Sequence, residues 1–310
     1  MRKGLLRFCV IVVIVLLGVV AIDITIGKVM DRMLPKISNQ GDTGKTYYSL
    51  NDVNTPVIIV GSSRAAHHYV TNMIEDSLKM STYNVARDGC FFSYNCCVVN
   101  SIMDRYTPKL IIWENGTDYL YDGVPDPLES MYPYYGNNKW VKKIIKDELP
   151  WKEHVRLNSH MYQYNSIIHR VVIRYCGRNS FIESSEKGYQ PLAAKKLRAP
   201  LKLEKELSIA KDLSSSKIAI FESTLNRAKK MGVLVIVVNS PVYKLTETNL
   251  SGIKMQQICD EYGMLYLDNS QLSYFHEHSN LFNDVTHMND EGARIYTKMF
   301  LEQIKDYIKR

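Results

Sequence analysis

The sequence is poor in the features that mark a metal centre, a disulfide scaffold or a nucleic-acid surface. Six of its 310 residues are cysteine: Cys9, Cys90, Cys96, Cys97, Cys176 and Cys259. None forms a C-x-x-C pair, and Cys9 lies in an apolar run, which leaves an odd set outside it. Adjacent Cys96 and Cys97 do not easily close a normal bridge. This composition argues against a small disulfide framework and against zinc. Two readings stay open: buried thiols throughout, or one disulfide in an oxidising compartment. His276-Glu277-His278 is too closely spaced for helical zinc ligation and reads as a loop. No basic stripe interleaved with aromatics is present, so no nucleic-acid partner is expected. Internal repeats and low-complexity tracts are also missing.

Hydrophobic content of 45% and charged content of 23% are ordinary for a globular protein with a substantial core. The net charge of +7 is partly explained by Arg2, Lys3 and Arg7, then Lys28, Arg32 and Lys36. These flank an uncharged run from Phe8 to Ile22, interrupted by Asp23 and continued by Ile24-Thr25-Ile26-Gly27. A membrane span needs about 20 residues and a signal-peptide core about 7–15, so the run lies between the two. Val19-Val20-Ala21 is a poor cleavage site, and Arg7-Phe8 before Cys9 rules against a lipobox. Length favours an uncleaved signal anchor over 1–27, followed by a stalk over 28–51. The basic N-terminus keeps to the cytoplasmic side and sends the remainder out, although the basic residues after the run dilute that asymmetry. The rest of the chain is expected to be extracytoplasmic.

Short β-rich runs recur at Val57–Val60, Thr82–Ala86, Leu110–Trp113, Val233–Val238 and Met264–Leu267. Helical patterns lie between or after them. Ile218, Phe221, Leu225 and Ala228 share a face, as do Ile295, Met299, Phe300 and Ile304. Apolar strands alternating with helices predict an α/β fold, with a parallel sheet covered on both sides. The expectation is a flavodoxin-like three-layer sandwich over 52–310, with active residues at the carboxyl ends of strands. One stretch, about 121–214, breaks the alternation and is rich in Tyr, Trp, Pro and charge. It reads as an insertion after the third strand, either a lid or substrate wall or a structural appendage.

Two short motifs carry chemistry. At Gly61-Ser62-Ser63-Arg64 a strand breaks into a tight turn that glycine permits. Ser63 there is a candidate nucleophile whose backbone N–H faces an oxyanion, or else a plain helix cap. At Asp284-Val285-Thr286-His287 a carboxylate and an imidazole three residues apart share one face of a turn. Asp284 can hold Nδ1–H and free Nε2 to take a serine proton; the plainer alternative is a capping Asp and a surface His. His67 and His68 follow Ser63, with packing the expected role and pocket lining the other.

These residues resemble the SGNH (GDSL-type) hydrolase superfamily across roughly 52–310. Gly61-Ser62-Ser63 is similar to its G-D-S block, with Ser62 in place of Asp. Asn84-Val85-Ala86-Arg87-Asp88-Gly89 resembles the second block, and Asp284 through Gly292 resembles D-x-x-H-L-N-x-x-G, with Met288 for Leu. The resemblance implies a triad of Ser63, Asp284 and His287, and an oxyanion hole from the N–H groups of Ser63 and Gly89. The third block, G-x-N-D, corresponds to Trp113 through Tyr119, where a third donor is Asn115 or Asp118 according to register. The N-terminal anchor, G-x-S-R, Gly188-Tyr189-Gln190-Pro191 and Asn239-Ser240-Pro241 resemble a branch of anchored bacterial proteins. That branch adds or removes acyl groups on cell-surface polymers. The resemblance thus implies serine-dependent acyl transfer on a cell-surface glycan, as an O-acetylesterase or O-acyltransferase. Its partners would be an acylated glycan or acyl donor, and a multispanning membrane acyltransferase. It implies no metal and no organic cofactor. The alternatives are a non-catalytic glycan-binding or accessory protein, and a secreted lipase or lysophospholipase.

Overall fold

The computed structural model describes residues 2–124, 126–177, 186–196, 201–205, 212–247 and 249–309. Parts of the expected insertion, 178–185, 197–200 and 206–211, lie outside the described residues. Along the chain the helices are α1 (Arg2–Met33), α2 (Gly41–Asn51), α3 (Ser63–His68), α4 (Thr71–Leu78) and α5 (Phe92–Arg105). They continue as α6 (Lys139–Glu148), α7 (Trp151–Arg156), α8 (His160–Tyr164), α9 (Ile168–Tyr175) and α10 (Ser215–Met231). The last are α11 (Leu250–Tyr262), α12 (Ser273–Glu277) and α13 (Asp290–Ile308). Two compact units result: Met1–Tyr47 with Leu128–Ser180, and Tyr48–Pro127 with Phe181–Arg310.

The larger unit is α/β. Its strands are β1 (Val57–Val60), β2 (Thr82–Asn84), β3 (Leu110–Glu114), β4 (Leu234–Asn239) and β5 (Leu265–Asp268). They form one sheet in the order β2-β1-β3-β4-β5, parallel throughout. Each of the five apolar runs became a strand, with small shifts at the ends. β2 stops at Asn84 because that side chain turns the backbone: Oδ1 accepts Ala86 N–H at 3.0 Å, and Nδ2 donates to the Ala65 carbonyl at 2.7 Å. β3 and β4 run on to Glu114 and Asn239, whose polar side chains are buried where the sheet ends.

Alternate residues of the strands bury on opposite faces. Val57, Ile59, Leu110, Ile112, Ile236 and Val238 join Tyr69, Tyr296 and Phe300 in one core, under α3 and α13. On the other face Trp113 packs with Phe92 of α5 at 6.1 Å and with Phe221 of α10 at 5.5 Å between ring centres. Each fully buried aliphatic or aromatic side chain contributes about 1.5–3 kcal/mol. Both faces of the inner strands are therefore covered, and the polar residues at their carboxyl ends are left to line whatever lies beyond.

The smaller unit is helical. From Arg2 to Ile22 every side chain of α1 is exposed, and the helix is long and apolar enough to cross a membrane. Its 32 residues measure about 48 Å along the axis. The segment expected as a stalk is folded: α1 runs on to Met33, a 3-10 turn follows at Leu34–Ile37, and Met30, Leu34 and Ile37 are buried. α1 packs on α8 and α9. Gly27 permits that approach, because a Cβ there would collide with the side chain of His160.

Candidate active site

The site begins at Gly61, where β1 ends. Its φ of 153° lies where side chains are strained, and a Cβ would meet Ala65 Cβ and Glu114 Cβ and O. The chain can therefore turn sharply over the end of β3 and start α3 at Ser63. Ser62 is the N-cap but does not cap; its Oγ pairs instead with the Tyr119 hydroxyl at 3.0 Å. Ser63 stands at the first helical position, where a backbone N–H has no acceptor inside the helix. Its Oγ is left to meet His287 Nε2 at 2.7 Å.

His287 sits on the turn that leads into α13. Asp284 Oδ1 accepts the N–H groups of Thr286 and His287 at 2.8 and 2.9 Å, which closes the turn. Both Asp284 oxygens also lie 3.0 and 2.9 Å from His287 Nδ1. A carboxylate only accepts, so Nδ1 carries the ring proton and Nε2 is free to accept from Ser63. Burial works against the Asp284 carboxylate, but the Thr286 amide, the His287 ring and the Thr286 hydroxyl outweigh it and hold its pKa below the usual value. Ser63, His287 and Asp284, 224 residues apart at their widest hydrogen bond, form one continuous relay.

Behind the relay lies a buried polar network. Arg64 Nη2 pairs with Glu114 at 3.1 Å, and Arg64 Nη1 donates to Asn239 Oδ1 at 2.7 Å. Glu114 also accepts from the Tyr69 hydroxyl, and from Ser240 N–H at 3.1 Å and Ser240 Oγ at 3.0 Å. Burial pushes the Glu114 pKa up, and Arg64, Tyr69 and Ser240 pull against it. The Arg64 guanidinium and the Ser240 N–H can only donate to it, which favours the carboxylate. His68 completes the network: its Nε2 accepts Met288 N–H at 3.0 Å and its Nδ1 donates to Ser240 Oγ at 2.8 Å. The sequence alone does not single out Arg64, Glu114 or Ser240 as site residues. The available signal was a Glu closing the apolar run of β3 and an Arg directly after Ser63.

A cavity of about 390 Å³ opens beside Ser63 and His287. Phe91, Tyr119 and Tyr121 give it aromatic walls, and Arg64, Asp118 and Lys244 give it charge. Tyr121 is thus one residue of the expected insertion that faces this space. Phe91 is held by Asp126, which accepts its N–H at 3.1 Å and that of Tyr94 at 2.8 Å, capping α5. Of the candidate oxyanion donors, Ser63 and Asp118 line the cavity, and Gly89 and Asn115 are outside its lining. Gly89 is an exposed turn glycine with φ 68°. Asn115 is buried with both carboxamide atoms unpaired among the described residues. His67 packs beside the relay, 5.9 Å from His287 between ring centres, with its nitrogens toward Gln190 O at 2.7 Å and Asp88 Oδ2 at 3.2 Å. Among the described residues no His, Cys, Asp and Glu group is arranged to hold a metal. No disulfide joins any of the six cysteines among the described residues. Comparison of the sequence with protein-family models returns no match, and comparison with curated proteins returns none.

Proposed function

We propose that this chain is an SGNH-type serine enzyme that transfers or removes a small acyl group, acetyl in the first instance, on a cell-surface glycan. The observation that carries the reading is the 2.7 Å approach of Ser63 Oγ to His287 Nε2, with Asp284 behind the ring. A protein that only binds glycan has no need of that relay. In the reaction, Ser63 Oγ attacks the ester carbonyl as its proton passes to His287 Nε2. The tetrahedral oxyanion is held by the Ser63 N–H, with the Gly89 N–H and Asn115 or Asp118 as the further candidates. His287 then gives its proton to the leaving alcohol, and the acyl group stays on Ser63. Water or a sugar hydroxyl attacks that ester, again losing its proton to His287, which returns it to Ser63 Oγ as the acyl–oxygen bond breaks and restores both groups. Water gives an esterase; a sugar gives a transferase. Asp284 fixes the ring and offsets its charge.

The fold assigned in this reading is flavodoxin-like, supported by the strand order β2-β1-β3-β4-β5 and by the site at the strands' carboxyl ends. Aromatic walls with interspersed charge suit a sugar better than an acyl chain, which favours a glycan over a lipid substrate. The apolar α1 is read as an uncleaved anchor in the bacterial cytoplasmic membrane, with the larger unit outside. The test is fluorophosphonate labelling of the full chain in detergent, beside Ser63→Ala and His287→Ala. Labelling of the wild type that is lost in both variants supports the reading. A folded wild type that takes no label overturns it.

A further inference from the structure

We propose that α7 and the start of α8 form a collar at the membrane surface, seating Trp151, Val155 and Met161 in the headgroup layer beside α1. The proposal rests on the reading of α1 as a membrane span. Trp151 is 68% exposed, Val155 58% and Met161 47%. Single exposed apolar residues are ordinary on soluble proteins. Here Trp151 and Val155 stand one helical turn apart on one face of α7, and Met161 follows at the start of α8.

The height of this set along α1 is fixed by hydrogen bonds inside the smaller unit. Asp23, the acid that interrupts the apolar run, accepts His160 N–H at 2.8 Å and Met161 N–H at 2.9 Å, together with the Ser159 hydroxyl. Gly27 packs on the His160 side chain, and the Tyr164 hydroxyl reaches Asp31. α8 therefore runs beside α1 from Asp23 to Asp31, with its first residues toward the apolar run. Below Asp23 the side chains of α1 are bare. Met161 accordingly lies where the lipid-exposed surface begins, and α7 is held beside α8 there by the Tyr162 hydroxyl, which donates to Glu153 at 2.7 Å. Asp23 is stabilised at that boundary because the first amides of α8 satisfy it.

Charge supports a lipid occupant. Over 139–156, Lys139, Lys142, Lys143, Lys146, Lys152 and Arg156 stand against Asp147, Glu148 and Glu153. Tryptophan with flanking lysine and arginine is the composition favoured at the headgroup level, and anionic lipids attract the basic excess.

The test reconstitutes the full chain in phosphatidylcholine–phosphatidylglycerol vesicles, with and without lipids brominated near the headgroup. Wild type is compared with Trp151→Phe, which leaves Trp113 and Trp140 as reporters. The expected result is quenching of wild-type emission that is mostly lost in the variant. Equal fractional quenching in both, or none in either, overturns the collar. So does protection of Trp151 from acrylamide that depends on protein concentration, since a second copy then covers the face. An alkaline wash separates the two readings. Protein that stays with the vesicles but shows no Trp151 quenching loses the collar and keeps the anchor; protein that washes away loses both.

Discussion

His287 and His68 lie 6.5 Å apart between ring centres, edge to face, and they hold their protons on the same nitrogen. Each donates from Nδ1, His287 to Asp284 and His68 to Ser240. The difference is at Nε2. His287 Nε2 faces the Ser63 hydroxyl, which can give up a proton. His68 Nε2 faces the Met288 amide, which cannot. Exposure separates them further: the His287 side chain is 26% exposed at the cavity, and His68 is fully buried. One ring is placed to move a proton and the other to hold a backbone. Because Met288 directly follows His287, the second ring fixes the loop that presents the first. The two rings thus differ in the partner of one nitrogen, not in residue type or tautomer, and the proposed reaction rests on that difference.

The largest expected break in this comparison is at His287. His287→Ala or Ser63→Ala should lower acyl transfer by about 10⁴-fold or more. Unfolding in detergent should change little, because both groups line an open cavity and neither is fully buried. Rates on an acetylated glycan or a chromogenic acetate ester check the first part, and urea titration the second. Glu114→Ala should act first on stability, costing about 3–5 kcal/mol by leaving Arg64 buried without its ion-pair partner. Urea midpoints for the variant and wild type measure it, and an unchanged midpoint would remove Glu114 from the framework.

A third prediction sharpens the comparison from the acid side. Asp284 is held below the usual carboxylate pKa, whereas burial drives Asp126 up to about 6 against the pull of its α5 amide donors. A raised carboxylate pKa means the folded state binds the extra proton. The stability linked to Asp126 is therefore fully present below the unfolded value of about 3.9 and is lost as pH rises through about 6. The full swing is about 3 kcal/mol, at 1.36 kcal/mol per unit. Asp126→Asn should flatten the wild-type decline between these limits, read from urea titrations across that range.

The sequence discloses the chemistry of this site more readily than its support. β1, β3 and β4 are legible because Val, Ile and Leu dominate them and run on, as a two-faced buried strand requires. Gly61-Ser62-Ser63 and Asp284 through His287 are legible because each is a local turn whose residue types are needed within a few positions. The framework is another matter. Ser240 meets Glu114 across 126 residues, His68 meets Ser240 across 172, and Met288 meets His68 across 220. No periodicity or spacing carries such pairings, and a His after Ser63 reads first as packing. The same holds in the smaller unit. Asp23 looks like a break in the apolar run until His160, 137 residues on, supplies its amide. Met30 and Leu34 look like stalk residues until the partners that bury them are known.

The smallest expected effect is the finest test of the two-histidine contrast. Burial, with Arg64, His287 and His67 adding to it, holds the His68 pKa well below the ordinary value. The unfolded chain therefore takes a proton near pH 6.5 that the folded chain refuses. The stability linked to His68 is present above that pH and lost as pH falls below it, opposite in sign to Asp126. His68→Gln offers a carbonyl oxygen that can still accept Met288 N–H, whereas His68→Phe leaves that amide unsatisfied at a cost of about 1–3 kcal/mol. Subtracting the His68→Gln stability profile from that of wild type should leave a difference that grows on acidification below pH 6.5. Ser63 should still take a fluorophosphonate in the Gln variant, more slowly as the loop loosens. A labelling rate that fell in His68→Gln as far as in His287→Ala would mean that the buried ring takes part in proton transfer, and the division between the two histidines would not stand.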